Sequence, residues 1–208
     1  QKNILKMSFQ KNKYCVVKNI IPPLLAEFCS KYLQMKKSNY KILKDTKYIS
    51  PFNNDHGYYI DPQVPNTYAI FGDQAMETLF HYIKPALEKI TKLKLIETYA
   101  YARVYKKGDI LKKHTDRSAC EVTTTLNLGG DLWPIYVNNK KFVLKPGDIL
   151  AYKGCELKHW REPFEGNMCV QVFHHFNNKT NSKVAINQYD SRPMLGLPAY
   201  FKSRKKDD

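Results

Sequence analysis

Between residues 94 and 176 apolar side chains recur at every second position or in short runs, the pattern of strands. Residues 94–106 read as one long strand. Successive side chains on a strand point to opposite faces, so Thr98, Ala100, Ala102 and Val104 share one face and Tyr99, Tyr101, Arg103 and Tyr105 the other. A turn at Lys107, Gly108 and Asp109 leads into a strand carrying His114. Further strands are predicted over 121–128, 132–137, 141–144, 148–153, 156–161 and 168–176, with Pro146, Gly147 and Asp148 as one of the turns between them.

Before residue 94 the period changes. Residues 14–21 alternate loosely and predict a strand, stopped by Pro22 and Pro23. Leu24, Leu25, Phe28, Tyr32 and Leu33 stand at helical spacing and predict a helix over 24–36. Residues 37–66 are polar and aromatic, and read as a long loop with short strands around 47–50. Leu79, Ile83, Leu87 and Ile90 make one apolar stripe of a second helix over 73–93, capped by Asp73 and kinked at Pro85. After Phe176 the chain turns polar, and 202–208 reads as a frayed tail. The expected fold is mostly β: a double-stranded β-helix, jelly-roll and cupin-like, with the N-terminal helices packed on one sheet. The expected organisation is a single domain over 1–208: support and a lid loop in 1–93, the jelly-roll core in 94–176, an extension in 177–208.

A length of 208 residues suits one domain with a real core, and 43% hydrophobic with 13% aromatic residues predicts a globular chain. No apolar run is long enough to span a bilayer, and residues 1–6 carry no apolar signal core; the expectation is a soluble cytoplasmic protein with no membrane partner. Five cysteines, an odd number without a CxxC pair, speak for reduced thiols rather than a disulfide framework or zinc knuckle. The net charge of +15 suits a solvated surface first; it leaves nucleic acid open as a partner without favouring it. Only five of the 34 basic residues are arginine, and Arg103, Arg117 and Arg161 all lie within 97–176. Where lysine is the default cation, arginine marks a fixed planar contact with a carboxylate or phosphate.

His114 and Asp116, two apart on a strand, present an imidazole and a carboxylate to one point, and His159 follows 43 residues after Asp116. Two histidines and one carboxylate on one face of a metal form the facial triad of non-haem iron oxygenases. Taken in order, His114 and Asp116, then Gly129, Gly130 and Leu132, then Pro146, Gly147 and Asp148, and last His159, the segment 97–176 resembles the Fe(II)/2-oxoglutarate dioxygenases, and within them the prolyl-4-hydroxylase-like branch. The resemblance implies Fe(II) on His114, Asp116 and His159, 2-oxoglutarate as cosubstrate, and ascorbate as an accessory. It implies hydroxylation of an unactivated C–H bond of prolyl residues in a protein or peptide, with release of succinate and CO2. No catalytic residue beyond the metal ligands is implied.

The far carboxylate of 2-oxoglutarate needs a fixed cation and hydroxyl donors inside a barrel. The family's base stands about ten residues after the distal histidine, whereas Asn167, Met168, Cys169 and Val170 supply none here. Arg161, on the same strand face as His159, is the expected substitute and Arg103 the alternative; Tyr105 matches a family tyrosine that meets the cosubstrate, and Tyr101 and Thr125 complete the set. Arg117, Trp160 and Tyr58 are the candidate substrate contacts. Of His174 and His175 only one can face inward, and neither is expected to hold a second metal. Other readings stay open: an oxygenase acting on nucleic acid or on a small molecule, and a non-catalytic cupin-like binding module.

Overall fold

In the computed structural model residues 9–201 are described, so the readings of residues 1–6 and 202–208 lie outside the described residues. The elements run α1 (Phe9–Asn12), β1 (Tyr14–Val17), α2 (Pro23–Asp45), β2 (Tyr68–Phe71), α3 (Gln74–Thr78), α4 (Phe80–Thr91), β3 (Leu95–Lys106), β4 (Leu111–His114), β5 (Val122–Gly130), β6 (Ile135–Val137), β7 (Lys140–Phe142), β8 (Ile149–Lys153), β9 (His159–Arg161), β10 (Met168–Asn178) and α5 (Val184–Asn187). Two antiparallel sheets result. The larger has the order β1-β8-β5-β10-β3-β2, the smaller β4-β9-β6-β7.

Strand alternation gives the large sheet two unlike faces. Its outer face carries Ala100, Ala102, Val104, Leu126, Ile149, Ala151, Val170 and Val172, packed with Ala26, Leu33, Phe80, Ile83 and Leu87 of the helices into the principal core. The helices therefore cover one sheet, as expected. The inner face carries Arg103, Thr123, Thr125, Gln171 and His175, all buried and polar. At one end the gap between the sheets is apolar, where Tyr14, Val16, Leu150 and Tyr152 meet Ile135, Val137, Leu144 and Leu157.

Several expectations are corrected. The first helix runs on to Asp45, beyond residue 36, with Tyr40 buried against Tyr59 and Tyr68. No strand forms around 47–50; Tyr58 instead bridges Ala69 of β2, a strand the pattern did not predict. Asp73 caps α3 as expected, accepting from the Met76 N–H. The second helix breaks at Leu79 rather than kinking at Pro85, which sits inside α4. Pro85 and His81 are both exposed, so water can satisfy the His81 carbonyl that loses its donor. The last strand, predicted to end at 176, continues to Asn178, and Asn177, Asn187, Asp190 and Arg192 of the polar stretch are buried. Arg192 reaches Glu77 of α3 at 2.7 Å, an ion pair with both side chains out of solvent. Among the described residues no helix is long and apolar enough to cross a membrane.

Candidate metal centre

The small sheet brings the three predicted ligands together. β4 and β9 are paired antiparallel with His114 opposite His159, so the two imidazoles leave neighbouring strands toward one point. Asp116 follows the end of β4, and its N–H bonds the Gly154 carbonyl at 2.9 Å. Gly154 leaves the room this needs: a Cβ there would lie 2.4 Å from Asp116 Oδ2. Asp116 Oδ1 stands 3.6 Å from His114 Nε2 and 3.4 Å from His159 Nε2, and one donor atom of each residue lies within 4.8 Å of the others. Among the described residues this is the one cluster of its kind.

The donor set fits a metal by its chemistry as well as its spacing. His114 Nδ1–H donates to the Lys112 carbonyl at 2.7 Å, and His159 Nδ1–H donates to the Leu157 carbonyl at 2.9 Å. Each proton is held on the nitrogen facing away, which leaves the Nε2 lone pairs toward the carboxylate. Thr123 donates to the other oxygen of Asp116 at 2.6 Å and orients it. Burial alone would raise the Asp116 carboxyl, but when the Nε2 atoms of His114 and His159 carry protons as well, their hydrogen bonds outweigh burial and hold the group well below the usual carboxylate range.

A cavity of about 330 Å³ opens on the triad, bounded by Tyr101, Arg103, Leu111, Tyr152, Phe173 and His175 among others. A larger groove of about 1070 Å³ shares Tyr99, Tyr101 and Arg117 with it and extends between Phe52–Asp55 and Gly196–Tyr200.

The other predicted residues separate in this frame. Arg103 lines the cavity but is already engaged: it bonds Asp61 Oδ2 at 2.6 Å and Gln63 Oε1 at 2.7 Å, and Tyr101 also donates to Asp61. Arg161 is 1% exposed and lies over the Trp133 ring at 4.9 Å. It donates to the Trp133 carbonyl at 2.5 Å and to Thr125 Oγ1 at 3.3 Å, its Nε has no partner, and no described carboxylate pairs with it. It does not line the cavity, although Leu111, its neighbour across the ladder, does. Tyr105 is buried between Arg103 Nη1, at 3.4 Å from its hydroxyl, and the Trp133 ring. Tyr58 and Arg117 line the larger groove. Trp160 is not brought to the site. It follows His159 on the opposite face of β9, stacks on Tyr136 and lies under the Lys113 ammonium, because a strand that turns His159 and Arg161 inward turns the residue between them outward.

Four residues of the site were not foreseen. Asp61 and Gln63 come from the loop before β2, and Gln63 donates its amide to His114 Nε2 at 2.8 Å. Nothing in the loop's pattern marks them. His175, the inward member of the histidine pair, lines the cavity beside Thr123 at 3.1 Å, and burial lowers it to about 4; the alternation of β10 carried that signal. Asp190 holds Arg117 at 2.8 Å from a segment 73 residues away, which no local pattern reveals.

No family model matches the chain, and no curated protein matches it in sequence. Its structure does have counterparts. A prolyl-4-hydroxylase from Pseudomonas putida superposes with a TM-score of 0.61 at 11% identity, over 83% of this chain and 96% of that one. A viral collagen prolyl hydroxylase from Paramecium bursaria Chlorella virus-1, in complex with 2-oxoglutarate, gives 0.57 at 11% identity over 80% and 97%. HygX from Streptomyces hygroscopicus, with nickel and 2-oxoglutarate bound, gives 0.59 at 11% identity over 83% and 85%. At these identities the likeness shows the fold alone, a fold that this chain shares with two prolyl hydroxylases and a 2-oxoglutarate-binding protein.

Proposed function

We propose that this chain is an Fe(II)- and 2-oxoglutarate-dependent dioxygenase that hydroxylates prolyl residues of a protein or peptide. The observation that carries the reading is the convergence of His114 Nε2, Asp116 Oδ1 and His159 Nε2, with both Nδ1 protons fixed on backbone carbonyls. Iron held there would supply O2 activation coupled to oxidative decarboxylation of 2-oxoglutarate to succinate and CO2.

Arg161 is the proposed partner of the far carboxylate. A buried guanidinium without a counter-charge is costly, and a dicarboxylate cosubstrate removes that cost by two parallel hydrogen bonds. Thr125 keeps one Nη of Arg161 oriented and is itself steadied by Gln171 at 3.0 Å. Arg103 is the second reading, favoured by its place on the cavity wall; it serves only if Asp61 leaves it. Tyr101 and Tyr105 flank Arg103 and keep its plane fixed. The loop bearing Asp61 and Gln63 stands over the triad, which suits a lid that excludes water from a reactive site.

The larger groove favours peptide over nucleic acid. Its two basic residues are both paired, Lys36 with Asp73 at 3.0 Å and Arg117 with Asp190 at 2.8 Å, so the +15 charge of the chain is not displayed there. A polyanion needs cations free to replace its counterions. Aromatic walls built from Phe52, Tyr58, Phe71, Tyr99, Tyr101 and Tyr200 suit an extended, proline-bearing chain.

The test is succinate formation from 2-oxoglutarate with Fe(II), and a +16 Da shift on proline in added peptides, compared between the native chain and His114→Ala, Asp116→Ala and His159→Ala. Each variant is expected to lose iron binding and turnover. Full turnover in any of the three removes the metal assignment.

A further inference from the structure

The chain places one guanidinium where the metal cavity opens into the larger groove. Arg117 lines both spaces, directly after the ligand Asp116. Its side chain is half exposed, lies over the Tyr99 ring at 4.9 Å, and donates to Asp190 Oδ1 at 2.8 Å. Asp190 is buried, and it reaches this position through an uncommon backbone. Tyr189, Asp190 and Ser191 all have positive φ, at 51°, 55° and 64°, a region that residues other than glycine seldom enter singly, let alone three in a row. Such a conformation persists only where the surroundings over-determine it. They do: the next residue, Arg192, is locked to Glu77, and Glu77 also accepts from the Ala100 and Gly196 N–H groups. Asp190 and the residues Gly196 to Tyr200 are thereby a built wall of the groove, and Tyr200 closes toward Asp55 of the facing loop at 3.5 Å.

Resting on the peptide-hydroxylase reading above, we propose that Arg117 binds a main-chain carbonyl of the substrate beside the reacting residue, and that Asp190 is a positioning residue that also sets what Arg117 accepts. The reason is charge. A guanidinium paired with a carboxylate keeps its remaining N–H donors but little net charge, so it favours a neutral carbonyl oxygen over an acidic side chain. Binding through the main chain fixes the register of an extended peptide while tolerating many side chains. Removing either charge should therefore change selectivity in opposite directions, which a merely structural role would not do.

The probe is a synthetic heptapeptide library with proline fixed at the centre and the flanks randomised, hydroxylation being read by mass spectrometry with Fe(II) and 2-oxoglutarate. Native chain is expected to show little charge preference at the flanks. In Asp190→Asn the Arg117 charge is uncompensated, and acidic flanks should be enriched at least fivefold; asparagine tolerates positive φ, so the backbone is preserved. In Arg117→Gln the Asp190 charge is uncompensated, and lysine or arginine at the flanks should be enriched at least fivefold, with KM for a neutral peptide rising about tenfold. If Asp190→Asn does not fold by thermal unfolding, Arg117→Gln decides alone. Unchanged preferences in the folded variants, or an acidic preference already in the native chain, overturn the proposal and leave the hydroxylase reading standing. If the native chain makes succinate yet hydroxylates no library member, the peptide reading falls and this proposal falls with it.

Discussion

Strand β3 faces two different environments, and alternate residues serve different ends. Outward, Ala100, Ala102 and Val104 are small and apolar and lie under the helices. Inward, Tyr99, Tyr101 and Arg103 carry hydroxyls and a guanidinium to the cavity at the triad, with Tyr105 buried beside Arg103. β10 repeats the division, with Val170, Val172 and Phe176 outward and Gln171 and His175 inward. The outer face holds the molecule together by apolar burial. The inner face spends burial on polar groups that its own hydrogen bonds only partly satisfy, as the unpartnered Nε atoms of Arg103 and Arg161 record. Stability and chemistry are thus separable by one residue of register.

The sharpest way to break that comparison is a pair of isosteric changes. Glu77→Gln, at the edge of β3 where Glu77 accepts from the Ala100 N–H, leaves Arg192 buried and uncompensated, and should cost about 3–5 kcal/mol of unfolding free energy. Asp116→Asn on the inner side should abolish iron binding while shifting the denaturant midpoint far less. Comparable losses from both would mean that the two faces are not separable.

Acid sharpens it next. His174, outward against Phe80 and the Met76 carbonyl, and His175, inward, are both lowered to about 4 by burial. The unfolded chain therefore binds more protons between the ordinary histidine value near 6.5 and about 4, so stability is full above that window and falls as pH falls through it. By pH 5 the loss should be on the order of 2 kcal/mol per histidine. Urea midpoints at pH 7 and pH 5 measure it; equal midpoints would show that these rings are not buried neutral.

The smallest expected effect separates the two arginines. Arg161→Met should raise the apparent KM for 2-oxoglutarate at least tenfold, since a charged bidentate contact is worth roughly 1.5–3 kcal/mol. Arg103→Met should act less on that constant, because its carboxylate partner is Asp61. The reverse order would assign the anchor to Arg103.

What was legible in the sequence follows from range. The strand faces, the candidate metal ligands and the inward turn of Arg161 obey a period of two residues, and each needs only a few neighbours to be read. The extent of α2, the break at Leu79 and the strand Tyr68–Phe71 depend on tertiary partners, Tyr59 and Tyr68 for the first and β3 for the last. Asp61, Gln63 and Asp190 meet Arg103, His114 and Arg117 across 42, 51 and 73 positions, and loops carry no period to betray them. Trp160 has the opposite parity to His159 and Arg161 on β9, and so faces away from the site.

The order of the large sheet has a consequence for how the chain comes to be folded. β10 lies between β5 and β3, yet it is the last strand among the described residues, so its two neighbours cannot be joined until residue 178 has been made. Of the five pairings in this sheet, only β2 with β3 joins strands consecutive in the chain. Loop closure over such separations is slow, and until it happens β3 and β5 each present an open edge to other chains. During synthesis His114 of β4 and His159 of β9 are therefore both made before the sheet that backs them is complete, and the yield of native protein should depend on how long those edges wait.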